Sequence, residues 1–445
     1  MSHHDDRIRF VKPIKTSFEN GIASLPVKGQ GVVIFSPESS FTQLDILAPN
    51  RKEKKDTFQY FSLRIDANSY SFYASKKGGW AADSDQLFSC NKGYNEYPEG
   101  LFWLSIDFEN RLLKGGYGEP RAELVLFSYQ FEKEELSEKN IGPNLHPTKY
   151  NDPNDSPYQW LKDLRNVYLS ESANLIAVFK DPIVEAAAMK VKSMDDISMG
   201  EVAKQVATVP ANLPTVCQKL YQNVGGSNFN LANVNKDFDL PADFDLAKAI
   251  QYSIDTEGKI CNEIIKKKAD EFGDHPDMVY LRITMGGNQG ESPGIPYVME
   301  IWPSGKRSPI HNHGGSEAII KVLHGEIQVK LFATLSKAIP NSSNDLLAIE
   351  SAYEPHLFKT ASFGLNDVTY ITPWLNQIHQ LENTHKTDAC ITIQCYGYPE
   401  DSDIHYEYFD WLNQDDDEID HFFPDSDFNF SEFVLKMYQE YSERD

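Results

Sequence analysis

Two histidines one residue apart, His311 and His313 in "SPIHNHGGSEAIIKVLHG" (residues 308–325), are the residues whose type and spacing most invite chemistry. In an extended segment side chains alternate faces, so residues i and i+2 point the same way. Two neutral imidazoles on one face can fill adjacent positions on a metal ion, and imidazole is the commonest protein metal ligand. Taken alone the pair is weak, because two half-exposed surface histidines would read identically. A third imidazole, His379 in "NQIHQLENTHKTDACITIQCYGYPE", changes the weight if a barrel brings its strand beside the first two.

The flanking residues point to such a barrel. Gly305 lies six residues before His311, Gly325 twelve after His313, and Asn376 and Asn383 bracket His379. This resembles the two-part cupin pattern, G-x5-H-x-H-x3-4-E-x6-G followed by G-x2-H-x3-N. Asn376 stands at the second glycine position, and asparagine is enriched in the left-handed conformation a turn there needs. The fourth-ligand position is ambiguous. Glu317 has the right spacing from His313, but counting back from Gly325 places Ala318 there. The expectation is a three-histidine site with Glu317 pointing out of the barrel; a four-ligand site using Glu317 is the alternative.

Within the cupins the stretch 245–400 resembles the cysteine dioxygenases, in which the glutamate is commonly replaced and three histidines hold iron. "YLRITMGG" places Tyr280 and Arg282 like the family's Tyr-x-Arg, and "HQLEN" resembles its His-x-x-Glu-Asn. The family's Ser-x-His-x-Tyr triad begins thirteen residues after the third ligand; here those positions hold Thr392, Gln394 and Tyr396. The resemblance implies Fe(II) on His311, His313 and His379, a substrate site of Arg282 and Tyr280, and a catalytic set of Tyr396, Gln394 and Thr392; Trp302 is a further substrate-binding candidate, with packing near the barrel mouth as its plainer reading. Arg282 is expected to grip a substrate carboxylate and Tyr396 to donate a hydrogen bond into the site. Ala318 cannot form the Cys–Tyr crosslink seen in some members, and Gln394 cannot move protons as the family histidine does. The implied reaction is L-cysteine plus O2 giving cysteine sulfinic acid, a step of cysteine catabolism and taurine/sulfinate metabolism. A dioxygenase for 3-mercaptopropionate or cysteamine and a non-catalytic, small-molecule-binding cupin are the alternatives.

The rest of the chain must position these residues. Its 445 residues suffice for two or three domains. The expected fold is mainly β with a helical segment. A β-sandwich-like domain (1–135) has strands such as "QYFSLRID", "SYSFYAS", "LFWLSIDF" and "AELVLFSYQF". A polar linker (136–157) follows, with Ser156 and Pro157 as a helix start. A helical segment (158–272), opened by Trp160, Leu164 and Tyr168 at helical spacing, is expected partly to brace the barrel. The cupin (double-stranded β-helix) domain occupies 273–400, and 401–445 reads as an acidic, solvated tail with a terminal helix in "SEFVLKMYQEYSE".

A formal charge of −24 repels phosphate backbones and anionic membranes, so the expected partners are a small thiol and O2, with no nucleic acid and no membrane. Five widely spaced cysteines without a CxxC fit a reducing compartment. The first ten residues carry no apolar run of the signal-peptide kind, and a cytoplasmic location is expected. The β-rich domain reads as a scaffold for a sugar or a protein partner, and its residues do not choose between them.

Overall fold

The structure is a computed structural model and describes residues 8–9, 21–37, 43–49, 60–75, 84–91, 93, 101–130, 161–169, 173–179, 188–226, 229–271, 273, 275–285, 297–335, 357–397, 409–412, 419–422 and 425–444. They fall into two compact units, one up to Phe179 and one from Ala188 onward. No helix among them is long and apolar enough to cross a membrane.

The first unit is a sandwich of two six-stranded antiparallel sheets. Aromatic residues from the two sheets meet in its core: the Phe72 ring stacks on Phe127 at 4.5 Å, and Tyr70 sits 6.2 Å from Phe102. The helical opening expected after residue 158 is strand instead. The stretch meant to open the helical segment supplies strands Asn166–Leu169 and Ala173–Phe179, the second lying between Gln30–Pro37 and Ile8–Arg9. Leu164 and Tyr168 satisfy helical spacing, but "ANLIAVF" is a short apolar run, which periodicity alone cannot assign, and its ladder partners in the sandwich make it a strand. Trp160, Ser156, Pro157 and the 136–157 linker lie outside the described residues.

The second unit is built on a β-barrel of the double-stranded β-helix kind. Its strands are β1 (Leu281–Met285), β2 (Tyr297–Trp302), β3 (Glu317–His324), β4 (Glu326–Phe332), β5 (Leu357–Gly364), β6 (Val368–Ile371), β7 (His379–Glu382) and β8 (Cys390–Gly397). One sheet runs β6-β3-β8-β2-β1 and the other β5-β4-β7. Each central strand of the larger sheet is buried on both faces, which is why β2, β3 and β8 read as nearly continuous apolar runs rather than clean alternations. Val322, Trp302 and Cys390 on the inner face pack with Ile327, Val329, Phe363 and Leu381 of the second sheet. Met299, Ile301, Ile319, Ile391 and Ile393 on the outer face pack against helices.

Those helices are α1 (Thr215–Val224), α2 (Leu246–Asp255), α3 (Ile260–Glu271) and α4 (Phe430–Ser442). The expected apolar face of "DLAKAIQYSIDTEGKICNEIIKKKADEF" packs on the outer core through Ile250, Cys261, Ile254, Ile264 and Ile265. It is split between two helices because Gly258 takes φ +80°. The amides of Ile260 and Cys261 that this break exposes donate to Glu440 of α4 and to Ser253. The acidic tail is likewise not all solvated. Phe428–Asn429 adds to the edge of β1, and Leu412, in the hairpin Phe409–Leu412/Ile419–Phe422, packs on Ile310, Phe332 and Leu335. Apolar residues set among the acids give these stretches a face to bury.

Candidate metal centre

His311 and His313 sit in the segment before β3, and His379 opens β7. The two segments are joined by reciprocal backbone hydrogen bonds, His311 N–H to His379 C=O at 3.1 Å and His379 N–H to His311 C=O at 3.0 Å. This bridge places side chains distant in sequence on one cavity wall. The turn before His379 needs Asn376 at φ +63°, the left-handed conformation expected from its place in the motif. Its side-chain amide donates to Tyr370 C=O at 2.8 Å.

Two of the imidazoles are oriented by backbone carbonyls. His379 Nδ1 lies 2.8 Å from Asn376 C=O, and His311 Nδ1 lies 2.9 Å from Pro309 C=O. A carbonyl only accepts, so each Nδ1 carries the proton and each Nε2 keeps its lone pair for a cation. The three ligand nitrogens lie within 4.8 Å of one another, and His313 Nε2 is 3.2 Å from His379 Nε2. Two nitrogens at right angles on one ion, each about 2.1 Å away, would be roughly 3.0 Å apart, so the donor set fits a divalent transition metal. Burial pushes the imidazoles down to about 4 for His311 and about 3 for His379, and well below the usual value for His313, where the other two rings add to the effect. All three are neutral, the form that binds metal.

Glu317 takes no part. Its Oε2 accepts from the Cys217 backbone N–H at 3.1 Å, at the first turn of α1, where the cap residue Pro214 offers no side-chain acceptor. The carboxylate therefore caps a helix on the outer face and meets the positive end of its dipole. Ala318 faces inward opposite Tyr396 in the β3–β8 ladder. Glu317→Gln is expected to leave metal content unchanged while lowering stability by on the order of 1 kcal/mol, read by metal analysis beside a denaturant melt. Loss of metal with stability retained would make Glu317 a ligand after all.

A small cavity is lined by the three histidines with Tyr280, Arg282, Glu300, Trp302, Leu381, Gln394 and Tyr396. Arg282, on β1, is 3% exposed, and its Nη1 lies 3.7 Å from Glu300 Oε1. Among the described residues its Nε and Nη2 have no hydrogen-bond partner. These two N–H groups form the edge of the guanidinium that matches a carboxylate in a two-point fork.

Tyr280 stacks on Trp302 at 4.4 Å, making an apolar wall. Trp302 Nε1 donates to Thr392 Oγ1 at 3.1 Å, so the Thr392 hydroxyl holds the indole and Thr392 does not line the cavity. Tyr396 stacks on His313 at 5.7 Å, and its hydroxyl donates to Gln394 Oε1. Gln394 Nε2 donates to Glu300. Glu300 was not among the residues singled out from sequence; its only sequence signal is a carboxylate inside the apolar strand "YVMEIW".

No family model and no curated protein matches the sequence. Solved structures resembling part of it include oxalate oxidase in complex with the substrate analogue glycolate, at 13% identity over 29% of this chain and TM-score 0.20; this chain spans 55% of that one. Another is the Cupin_2 domain of an XRE family transcriptional regulator from Enterobacter cloacae, at 12% identity over 27% of this chain and 98% of that one, TM-score 0.19. A third is a protein with a double-stranded β-helix domain from Klebsiella pneumoniae, at 13% identity over 30% and 83%, TM-score 0.19. The barrel assignment rests on the strand order of this chain itself.

Proposed function

We propose that this protein is an Fe(II)-dependent thiol dioxygenase for a small thiol bearing a carboxylate, with L-cysteine as substrate and cysteine sulfinic acid as product. The observation that carries the reading is the presence, in one buried cavity, of three convergent neutral imidazoles and an arginine edge with two uncommitted N–H groups. His311, His313 and His379 would hold the ion, which when bound supplies the centre at which a thiol loses its proton and dioxygen is reduced. The overall reaction needs no further co-reactant: sulfur gives up four electrons, O2 takes four, and both oxygen atoms end on sulfur.

The remaining work belongs to the side chains. Arg282 receives the carboxylate through Nε and Nη2 and fixes the orientation of the rest of the molecule, so that reaction becomes effectively intramolecular. Trp302, held by Thr392 and stacked on Tyr280, with Leu381 opposite, forms an apolar lining that excludes water from the reacting centre. The Tyr396 ring lies stacked on His313, and its hydroxyl is held by Gln394.

The test is turnover by iron-loaded protein with L-cysteine, 3-mercaptopropionate and cysteamine, following oxygen consumption and sulfinate by mass spectrometry. Sulfinate is expected from the two carboxylate-bearing thiols, L-cysteine first, and little from cysteamine. Absence of sulfinate from every thiol, with metal bound, overturns the reading.

A further inference from the structure

Glu300 lies on the inner face of β2, 4% exposed, directly opposite Arg282 in the β1–β2 ladder. Its Oε2 accepts from Gln394 Nε2, while Gln394 Oε1 accepts from the Tyr396 hydroxyl. An unbroken chain therefore runs from the acid to the phenol beside His313.

Each link in that chain has a direction. A carboxylate only accepts, and an amide has one donating end and one accepting end. With Glu300 ionised, Gln394 must turn its NH2 toward Glu300 and its carbonyl toward Tyr396. The phenol must then spend its one hydrogen on Gln394 and has only lone pairs left for any other group. With Glu300 protonated, the acid O–H can donate to the amide carbonyl. A half-turn of the amide then brings its NH2 to the phenol oxygen, and the phenol O–H is released from Gln394 to donate elsewhere in the cavity it lines.

We propose that Glu300, acting through Gln394, is a positioning residue that sets which way the Tyr396 hydroxyl points. The expectation that Tyr396 donates into the site then holds only for the protonated acid. Burial pushes Glu300 up to about 7, against the opposing pull of Arg282 on β1 and Lys268 on α3, so both states lie close to neutral pH. The other titratable groups around it are Tyr280 before β1, Tyr396 on β8, the three neutral histidines, and Asp427, which pairs with Lys268 at 2.6 Å. The consequence for turnover rests on the dioxygenase reading; the relay does not.

The experiment follows the Tyr396 phenol carbon by NMR in 13C-tyrosine-labelled protein, loaded with diamagnetic Zn(II) and assigned with Tyr396→Phe. Between pH 5.5 and 9 the wild type is expected to show one inflection near 7. Glu300→Gln is expected to abolish it, and so is Gln394→Met, which cuts the relay and leaves the acid in place. A wild-type resonance without an inflection, or an inflection that survives in Glu300→Gln, overturns the proposal. In the iron-loaded enzyme kcat is expected to fall above pH 7 in the wild type and to lose that dependence in Glu300→Gln. If no thiol turns over while the inflection behaves as described, the dioxygenase reading fails and the relay stands.

Discussion

Arg282→Ala is expected to raise KM for L-cysteine and 3-mercaptopropionate by on the order of 100-fold, because truncating one partner of a buried charge pair removes about 2–5 kcal/mol of binding. The guanidinium is almost wholly buried, its outer edge is uncommitted among the described residues, and no other described side chain lining the cavity is a Lys or Arg. Cysteamine, which has no carboxylate, serves as the internal control and its KM should stay near the wild-type value. Arg282→Lys is expected to recover only part of the loss, since an ammonium is a point charge and cannot reproduce the planar fork. Arg282→Ala also removes the cation beside Glu300, so the carboxyl, already raised to about 7, should move higher and stay protonated at neutral pH. Equal loss for all three thiols would show that Arg282 supports the fold and not the carboxylate.

The second large effect is expected at the imidazoles. His313→Ala should abolish stoichiometric metal binding and lower turnover by more than roughly 100-fold, since loss of a group merely supporting a ligand already costs about 10- to 100-fold. The check independent of activity is thermal. A metal that binds the folded state alone stabilises it by about 2.7 kcal/mol at a hundredfold excess over Kd. The wild type should gain this on metal addition and the variant should not. The sign of the pH effect follows from the same burial. With His311 held at about 4 and His379 at about 3, protons compete for the lone pairs only in that range. Metal occupancy is therefore expected to persist as pH falls through 6.5, where ordinary imidazoles would release it. Stoichiometric metal on His313→Ala, or release near 6.5 in the wild type, would remove His313 or the buried site from consideration.

What could be read from sequence follows local rules. His311 and His313 announce themselves by their spacing, Asn376 by a turn that only a few residue types tolerate, and Ala318 over Glu317 by counting to Gly325. Period two in a strand is unforgiving, and one residue decides inside from outside. Glu300 was not legible because its meaning lies in partners on other strands: Arg282 opposite it and Gln394 diagonal to it. The strands at 166–169 and 173–179 were missed for a related reason. A seven-residue apolar run takes its conformation from its sheet neighbours, and the spacing of Leu164 and Tyr168 carries no information about them. The cap that Glu317 provides to α1 was likewise hidden, since its acceptor is 100 residues from its donor.

Asp427 has a bearing on how the protein is made. Its Oδ2 accepts from Arg282 N–H at 2.8 Å and from Lys268 Nζ at 2.6 Å, and Phe428–Asn429 then runs beside β1 into α4. Among the described residues, the backbone that carries the guanidinium thus acquires its outer strand neighbour from residues translated about 145 positions later. On a ribosome adding residues in order, the histidine cage can assemble while the arginine strand is still an open edge, so competence to hold a metal should precede competence to hold an anion during biosynthesis.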